Sequence, residues 1–363
     1  MKAFLCLSLF FTTLALPAQE QRILARGPHH QKLERLQVWQ DEAGVTRYRT
    51  NRITQIADSL CYPTATGWEL TQQEFQAAQG GFLAGQGPLT VFLNENLNVM
   101  NALDITATDG AHFEVSPAFV ALRDATGQSV LLSAVQDSVG HLIAPNVVLY
   151  DSAFDSGLDA AIRISYTRRG LEQDLVLFDP SHQIHPEDFG LIPASTTIEL
   201  WSEMNTSPQA QVIPVVNDGV VDDIVINFGS TKIADGKAFS TEREDLAIRV
   251  LKRFGDIDGR RWLVEQISYA AAQPLFDNAQ AALPAQNNRI KQMAGRKAVK
   301  TDKELVAQLP ARKKASRTAS IIPKSRDQLL ALAQPMRKGF LIDFQLLNAT
   351  NLTNMRFQSD STY

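Results

Sequence analysis

The sequence predicts an all-β fold, built as one or two β-sandwich-like units with a basic, partly helical linker and short C-terminal strands. Three observations predict it. Turn residues punctuate Leu36 to Leu283 at the roughly 8–12-residue spacing of sandwich strands. The runs between them alternate apolar and polar residues, the period of a strand with one buried face. Neither long helical periodicity nor strand–helix alternation occurs before Ala279, which argues against a parallel α/β sheet.

The elements follow in order. LQVWQDEAGVTRYRTNRI alternates on both sides of Glu42-Ala43-Gly44, and DSLCYPTATGWEL places a Pro/Gly turn between two short segments. ELTQQEFQAA has the pattern of one or two helical turns. GGFLAGQG lacks the spacing of a phosphate-binding loop and reads as a flexible turn before PLTVFLNENLN. ALDITATDGAHFEVSP carries the strongest hairpin signal, Asp109-Gly110 between alternating runs. FVALRDATGQSVLLSAV repeats it around Thr126-Gly127. NVVLYDSAF, TTIELWSEM, DDIVINFGSTKIADGKAFS and RRWLVEQISY complete the strands. Asn217-Asp218-Gly219 with Asp222-Asp223 lacks the ligand spacing of a calcium loop, so turn chemistry accounts for it.

The ends differ from this middle. Lys2, the apolar run Ala3 to Leu16 and the small Ala18 make residues 1–18 a secretory signal peptide, and residues 19–35 an N-terminal extension. No later stretch is apolar enough to span a bilayer as a helix. Cys6 leaves with the signal, so Cys61 has no intrachain disulfide partner, and an exported chain must draw its stability from a packed core over residues 36–285. A formal charge of −4 excludes a whole-chain nucleic-acid role. From Arg289 to Lys338 about fourteen residues are basic and about three acidic. Residues 286–338, which follow a boundary after Pro284, therefore read as a solvated basic tether. Short helices are expected near Lys303–Gln308 and Arg326–Ala333. Residues 339–363, with FLIDFQLLNATNLTNMRF, read as strands that lack a sheet of their own. They are an element for docking or strand addition to a protein partner. The basic strip offers a second partner, an acidic cell-envelope polysaccharide.

IRISYTRRGLEQDLVL is a hairpin across Arg169-Gly170. Its expected register sets Ser165 opposite Asp174 and Thr167 opposite Glu172. Ile162, Ile164 and Tyr166 then share a face with Gln173, Leu175 and Leu177, while Arg163, Ser165 and Thr167 share the other with Glu172 and Asp174. Glu172 and Asp174, about 6.5–7 Å apart along the strand, satisfy the spacing of a glycosidase carboxylate pair. Such a pair also needs unequal environments, and one open strand face supplies a shared, solvated one. His182 and His185, with Glu187 beyond, offer imidazole and carboxylate ligands to a metal. Pro180 and Pro186 make the segment a loop, and no third ligand is fixed by spacing, so a surface loop is the simpler reading. No nucleophile elbow, zincin or thiol-redox motif occurs, so no catalytic residue and no cofactor are assigned. Trp39, Trp68, Trp201 and Trp262 each sit in strand-like runs and read as core.

Several blocks together resemble the N-terminal region of large secreted bacterial proteins of the RHS/YD-repeat type. They are ARGPHHQKLERLQVW, GWELTQQEF, GFLAGQGPLTVFL, NVVLYDSAFDSGLDAAIRISYTRRGLEQDLVLFD, DGKAFS, RRWLVEQISY and KGFLIDFQLLNATNLTNMRFQSDSTY. None is a catalytic motif. The resemblance implies an exported β-rich module ahead of a repeat segment, of which this chain is a truncated, split or freestanding version. The functional expectation is a non-catalytic structural or adhesive module at the cell surface or secreted. The alternative is a carbohydrate-binding or carbohydrate-active β-sandwich, marked by a groove with exposed aromatics.

Overall fold

The computed structural model describes residues 20–155, 157–234, 236–241, 243–276, 296–314, 336–348 and 359–362. The chain forms two compact units, residues 1–69 with 352–363, and residues 70–351. The signal peptide, the Pro284 boundary and the helix expected at Arg326–Ala333 lie outside the described residues.

In the first unit, Glu20–Gly27, His30–Gln40 and Thr46–Ile56 form an antiparallel meander, and Ser359–Thr362 adds along the edge of the third strand. Residues 20–27 are thus a paired strand rather than an extension, and this sheet continues through Leu36 without a boundary. Trp39 and Trp68 are 46% and 37% exposed, so these two are not core. A meander of so few strands buries one thin layer, with Leu33 among the few side chains closed off.

The second unit is all-β and sandwich-like: its strands belong to one connected, closed system whose two sheets face each other across the main core. One sheet runs Gln76–Ala78, Gly81–Ala84, Leu89–Asn94, Leu103–Ala107, His112–Arg123, Thr197–Thr206, Arg260–Ser268 and Arg243–Ile257, all antiparallel. GGFLAGQG is therefore half strand. Gly81 is required there because a Cβ would strike the Leu93 carbonyl. ELTQQEFQAA forms strands at Gly67–Leu70 and Gln76–Ala78, not helix. The long strand His112–Arg123 pairs along one edge first with Leu103–Ala107 and then with Ser129–Ala134. Pro117, which has no N–H to give, lies where the register against Thr197–Thr206 shifts. The second sheet runs Gly140–Ala144, Val147–Tyr150, Ala160–Tyr166, Gly170–Leu177 and Phe340–Asn348. Beyond Phe340–Asn348 lie Gly236–Ser240 and Thr231–Ile233, the latter followed by Val220–Asn227 and the outer Gln211–Asn217. The strand Arg243–Ile257 belongs to both sheets, pairing with Gly236–Ser240 by its first half and with Arg260–Ser268 by its second.

The main core fills the space between the sheets, with Phe113, Val120, Leu200 and Leu263 from one and Tyr150, Ile162, Leu175 and Phe340 from the other. Period-2 alternation holds on its inner face, but the outer faces are also covered. Phe119, Trp201 and Trp262 form a second cluster with Leu305 and Val306, and Val176, Phe178 and Leu341 form a third. This is why His112–Arg123 and Gly170–Leu177 are buried on nearly every residue. Asp218-Gly219 and Asp258-Gly259, all with positive φ, form the two-residue turns that a twisted hairpin prefers. Tyr269–Phe276 is a short helix that alternation alone did not forecast.

Two expected segments differ in role. Residues 296–314 of the basic stretch are a strap laid over the outer face of the first sheet. Val299 bridges Ser129, Lys313–Lys314 pairs parallel to Val99–Met100, and the helix Asp302–Val306 sets Leu305 and Val306 on the tryptophans. That helix begins with a capping box, Thr301 accepting from the Glu304 N–H and the Glu304 carboxylate accepting from the Thr301 N–H. The second is Phe340–Asn348, which has its own sheet. Gly170–Leu177 pairs on one side, and Gly236–Ser240 and Thr231–Ile233 pair on the other. Among the described strands it is therefore paired on one side over most of its length and on the other at both ends.

Candidate functional site

The hairpin Ala160–Leu177 turns one residue earlier than its sequence predicts. Thr167 and Gly170 bond each other across Arg168-Arg169, and Ser165 faces Glu172 while Arg163 faces Asp174. The register moves by two, so the faces stay as expected. Neither arginine is at positive φ; Gly170, just after them, is. The wet-face expectation fails at Asp174, which is 1% exposed. The neighbouring strand Phe340–Asn348 pairs along the other edge of Gly170–Leu177, which makes this an interior strand, and the register sets Asp343 beside Asp174. Asp174 accepts from Arg163 Nε at 2.6 Å, yet burial outweighs that guanidinium and holds its pKa above the ordinary carboxylate value. Glu172 is half-buried and also shifted up, first by desolvation and then by Asp174. Gln173, on the core side, donates to Ser202 of the other sheet at 3.2 Å. The two carboxylates thus have unequal burial, and neither is part of the three cavities described below.

The raised value at Glu172 sets a pH dependence. Its contribution to stability is full below the unfolded carboxyl pKa, about 4.3, and is lost as pH rises through the higher folded value. Glu172→Gln is expected to leave stability unchanged at low pH and to raise it by about 0.5–1 kcal/mol near neutrality. Denaturant titrations across pH check this; a variant less stable than the parent at neutral pH overturns it.

His182 ends the 3₁₀ turn Pro180–His182, His185 immediately precedes the next, Pro186–Phe189, and the two turn to different carboxylates. His182 Nδ1 lies 2.6 Å from Asp179, and His185 Nδ1 lies 3.9 Å from Glu187. The loop does not bring both imidazoles and Glu187 to one point. His185 and Glu187 do help line a cavity of about 410 Å³ with Tyr269 and Phe276. The described residues gather metal-type donors elsewhere, at Asp104, His112 and Glu114. Asp104 and Glu114 face each other across the hairpin that turns at Asp109-Gly110. His112 bonds Asp104 at 3.0 Å and Thr206 donates to Glu114 at 2.6 Å, which satisfies these groups without an ion.

The outer face under the strap is the most elaborated polar surface. Glu199 is fully buried there and accepts from Arg123 (3.0 Å), Arg253 (2.9 Å) and the Trp201 indole (2.8 Å). Asp302 of the strap binds the same two arginines, so alternating charges clasp the strap to the sheet. Arg253 and Arg260 lie over Trp201 and Trp262 at 5.2 and 4.7 Å. Further along, a cavity of about 390 Å³ opens between sheet and strap, with Glu203, Arg260 and Arg312 as its charged lining. An adjoining cleft of about 510 Å³ shares Met100, Glu203 and Arg260 with it. The sequence signals for this site were the two tryptophans at strand spacing and the basic run. What was missing was the strap's docking, which no local pattern encodes.

A different feature marks the free edge of the second sheet. Gln211–Asn217 pairs only with Val220–Asn227 among the described strands. Val212, Ile213, Val216, Val220 and Val221 there are 39–64% exposed. Edge strands usually carry charge against association. This one has Pro214, which denies one donor to an incoming strand, but keeps its valines bare. Comparison with protein-family models, with characterised proteins and with solved structures finds no match to this chain.

Proposed function

We propose that the protein is a non-catalytic structural or adhesive module, exported and presented at a cell surface, that associates with further copies of itself through the hairpin Gln211–Asn227. The observation that carries this is the run of bare aliphatic side chains at the tip and outer edge of that hairpin. The segment contains no aromatic ring for stacking on a sugar or anchoring at a membrane interface. Asp218 and Asp222 at the tip oppose an anionic lipid surface. An apolar protein surface is the complement left, and a second copy supplies one in its own bare aliphatic side chains, with Asp222 already paired to Arg249.

The magnitude fits repeated weak contact. Five half-exposed aliphatic side chains offer on the order of 400 Å², the size of a functional patch but below the ~800 Å² per partner of a stable dimer. Arrayed copies make such contacts effective through multivalency. The resemblance to the front end of surface repeat proteins supports the same reading. Sedimentation velocity over a concentration series is expected to show reversible self-association of the full chain, abolished in Val216→Lys/Val220→Lys with an unchanged melting curve. A parent chain that stays monomeric at the highest concentrations overturns the proposal.

A further inference from the structure

The wall of the cavity between strap and sheet includes an arginine, one of whose donors has no partner among the described residues. Arg312 gives its Nη2 to the Pro117 carbonyl, while its Nη1 is sealed from solvent and bonded to nothing. Such a group normally costs stability, because a guanidinium N–H removed from water must be matched. The neighbouring Arg260 is not in this state. Glu203 holds it at both nitrogens, Nε to Oε1 at 2.6 Å and Nη2 to Oε2 at 2.5 Å. The charged lining is therefore two guanidinium groups and one carboxylate, a net single positive charge. Burial pushes the Arg312 pKa down to about 10, which still leaves it charged at neutral pH. The rest of the wall is apolar: Met100, Ala118, Ala134 and Val135 from the sandwich, and Leu309 and Pro310 from the strap.

We propose that this cavity binds a small monocarboxylate bearing an apolar tail, with the carboxylate taken by Arg312 and the tail laid between Val135 and Leu309. The planar fork of a guanidinium matches a carboxylate. Glu203 disfavours a second negative charge on the ligand, which selects against phosphate. The volume of about 390 Å³ lies at the small end of ligand pockets and limits the tail to a short chain or one or two residues. Nη1 is behind the cavity wall, so the side chain shifts toward an entering carboxylate. This site is separate from the hairpin Gln211–Asn227, and either proposal stands without the other.

The test is calorimetric titration of the full chain with octanoate, with N-acetyl-alanyl-leucine and its C-terminal amide, and with inorganic phosphate. Saturable binding of either carboxylate is expected, and the tighter of the two shows whether the natural source is a free acid or a chain terminus. The amide is expected to bind at least tenfold more weakly. Arg312→Met keeps an unbranched apolar stem without the guanidinium and is expected to weaken binding at least tenfold. Ala311→Trp, placed on the exposed strap, is expected to block the cavity; circular dichroism melts confirm that both variants fold. Absence of saturable binding by both carboxylates, equal affinity in Arg312→Met, or tighter binding of phosphate overturns the proposal.

Discussion

A chain ended at Lys338 is expected to lose the cooperative unfolding transition of its sandwich. The reason is the position of Phe340–Asn348, inside the second sheet with neighbours on both edges. Phe340 and Ile342 enter the main core and Leu341 the cluster on the opposite face, each at most 1% exposed. Burying a large aliphatic or aromatic side chain contributes about 1.5–3 kcal/mol. Three of them therefore approach the whole stability of a domain, about 5–15 kcal/mol, before the unpaired strand edges of Gly170–Leu177 and Gly236–Ser240 are considered. Limited trypsin digestion should cut the shortened chain throughout residues 70–276. A chain ended at Asn351 is the control: it loses only Ser359–Thr362 from the first unit and should keep the sandwich transition. A sigmoidal melt of the Lys338-terminated chain, within a few degrees of the parent, would show that the strand is dispensable.

The second large effect is expected at Asp223. Its carboxylate and the Lys252 ammonium are both buried, 2.8 Å apart, and Asp223 also accepts from the Lys252 backbone N–H at 2.8 Å. Arg249 reaches the same carboxylate at 3.7 Å. Asp223→Ala leaves a buried cation without its counter-charge and beside another cation. The expected loss is about 3–5 kcal/mol, or a melting temperature lower by roughly 2–4 °C per kcal/mol. The double variant Asp223→Ala/Lys252→Met removes both charges and is expected to recover most of the loss, because the pair itself contributes little beyond offsetting its own desolvation. Equal destabilisation in the single and double variants, measured by chemical denaturation, would place the cost in packing and refute the charge argument.

The sequence made the strands legible because alternation and turn chemistry are local. Asp109-Gly110 and Thr126-Gly127 mark hairpins by the backbone conformation their glycines tolerate, and both turns stand where expected. Burial of the outer faces was not legible. Asp174 has the same local pattern as a solvated strand carboxylate, yet it is buried in an interior strand, one of whose neighbours comes from more than 160 residues away. Trp201 and Trp39 show the reverse pair: similar strand contexts, one 0% and the other 46% exposed, separated by whether a strap covers them. The basic stretch read as a solvated tether because charge density was weighed over its few apolar residues. Leu305, Val306 and Leu309 were enough to dock it, once Arg123 and Arg253 took Asp302. His182 and His185 kept their sequence spacing, but the 3₁₀ turns pointed them apart.

The interior place of Phe340–Asn348 also sets a timetable. Translation adds roughly 5–20 residues per second, so most of the sandwich is made many seconds before the segment that closes its second sheet. During that interval Gly170–Leu177 and Gly236–Ser240 each keep a hairpin partner on one edge but lack the mate on the other, and pairings this distant along the chain form slowly in any case. The nascent polypeptide therefore stays incomplete until Phe340–Asn348 has been made, and a chaperone that holds the open edges has that interval in which to act.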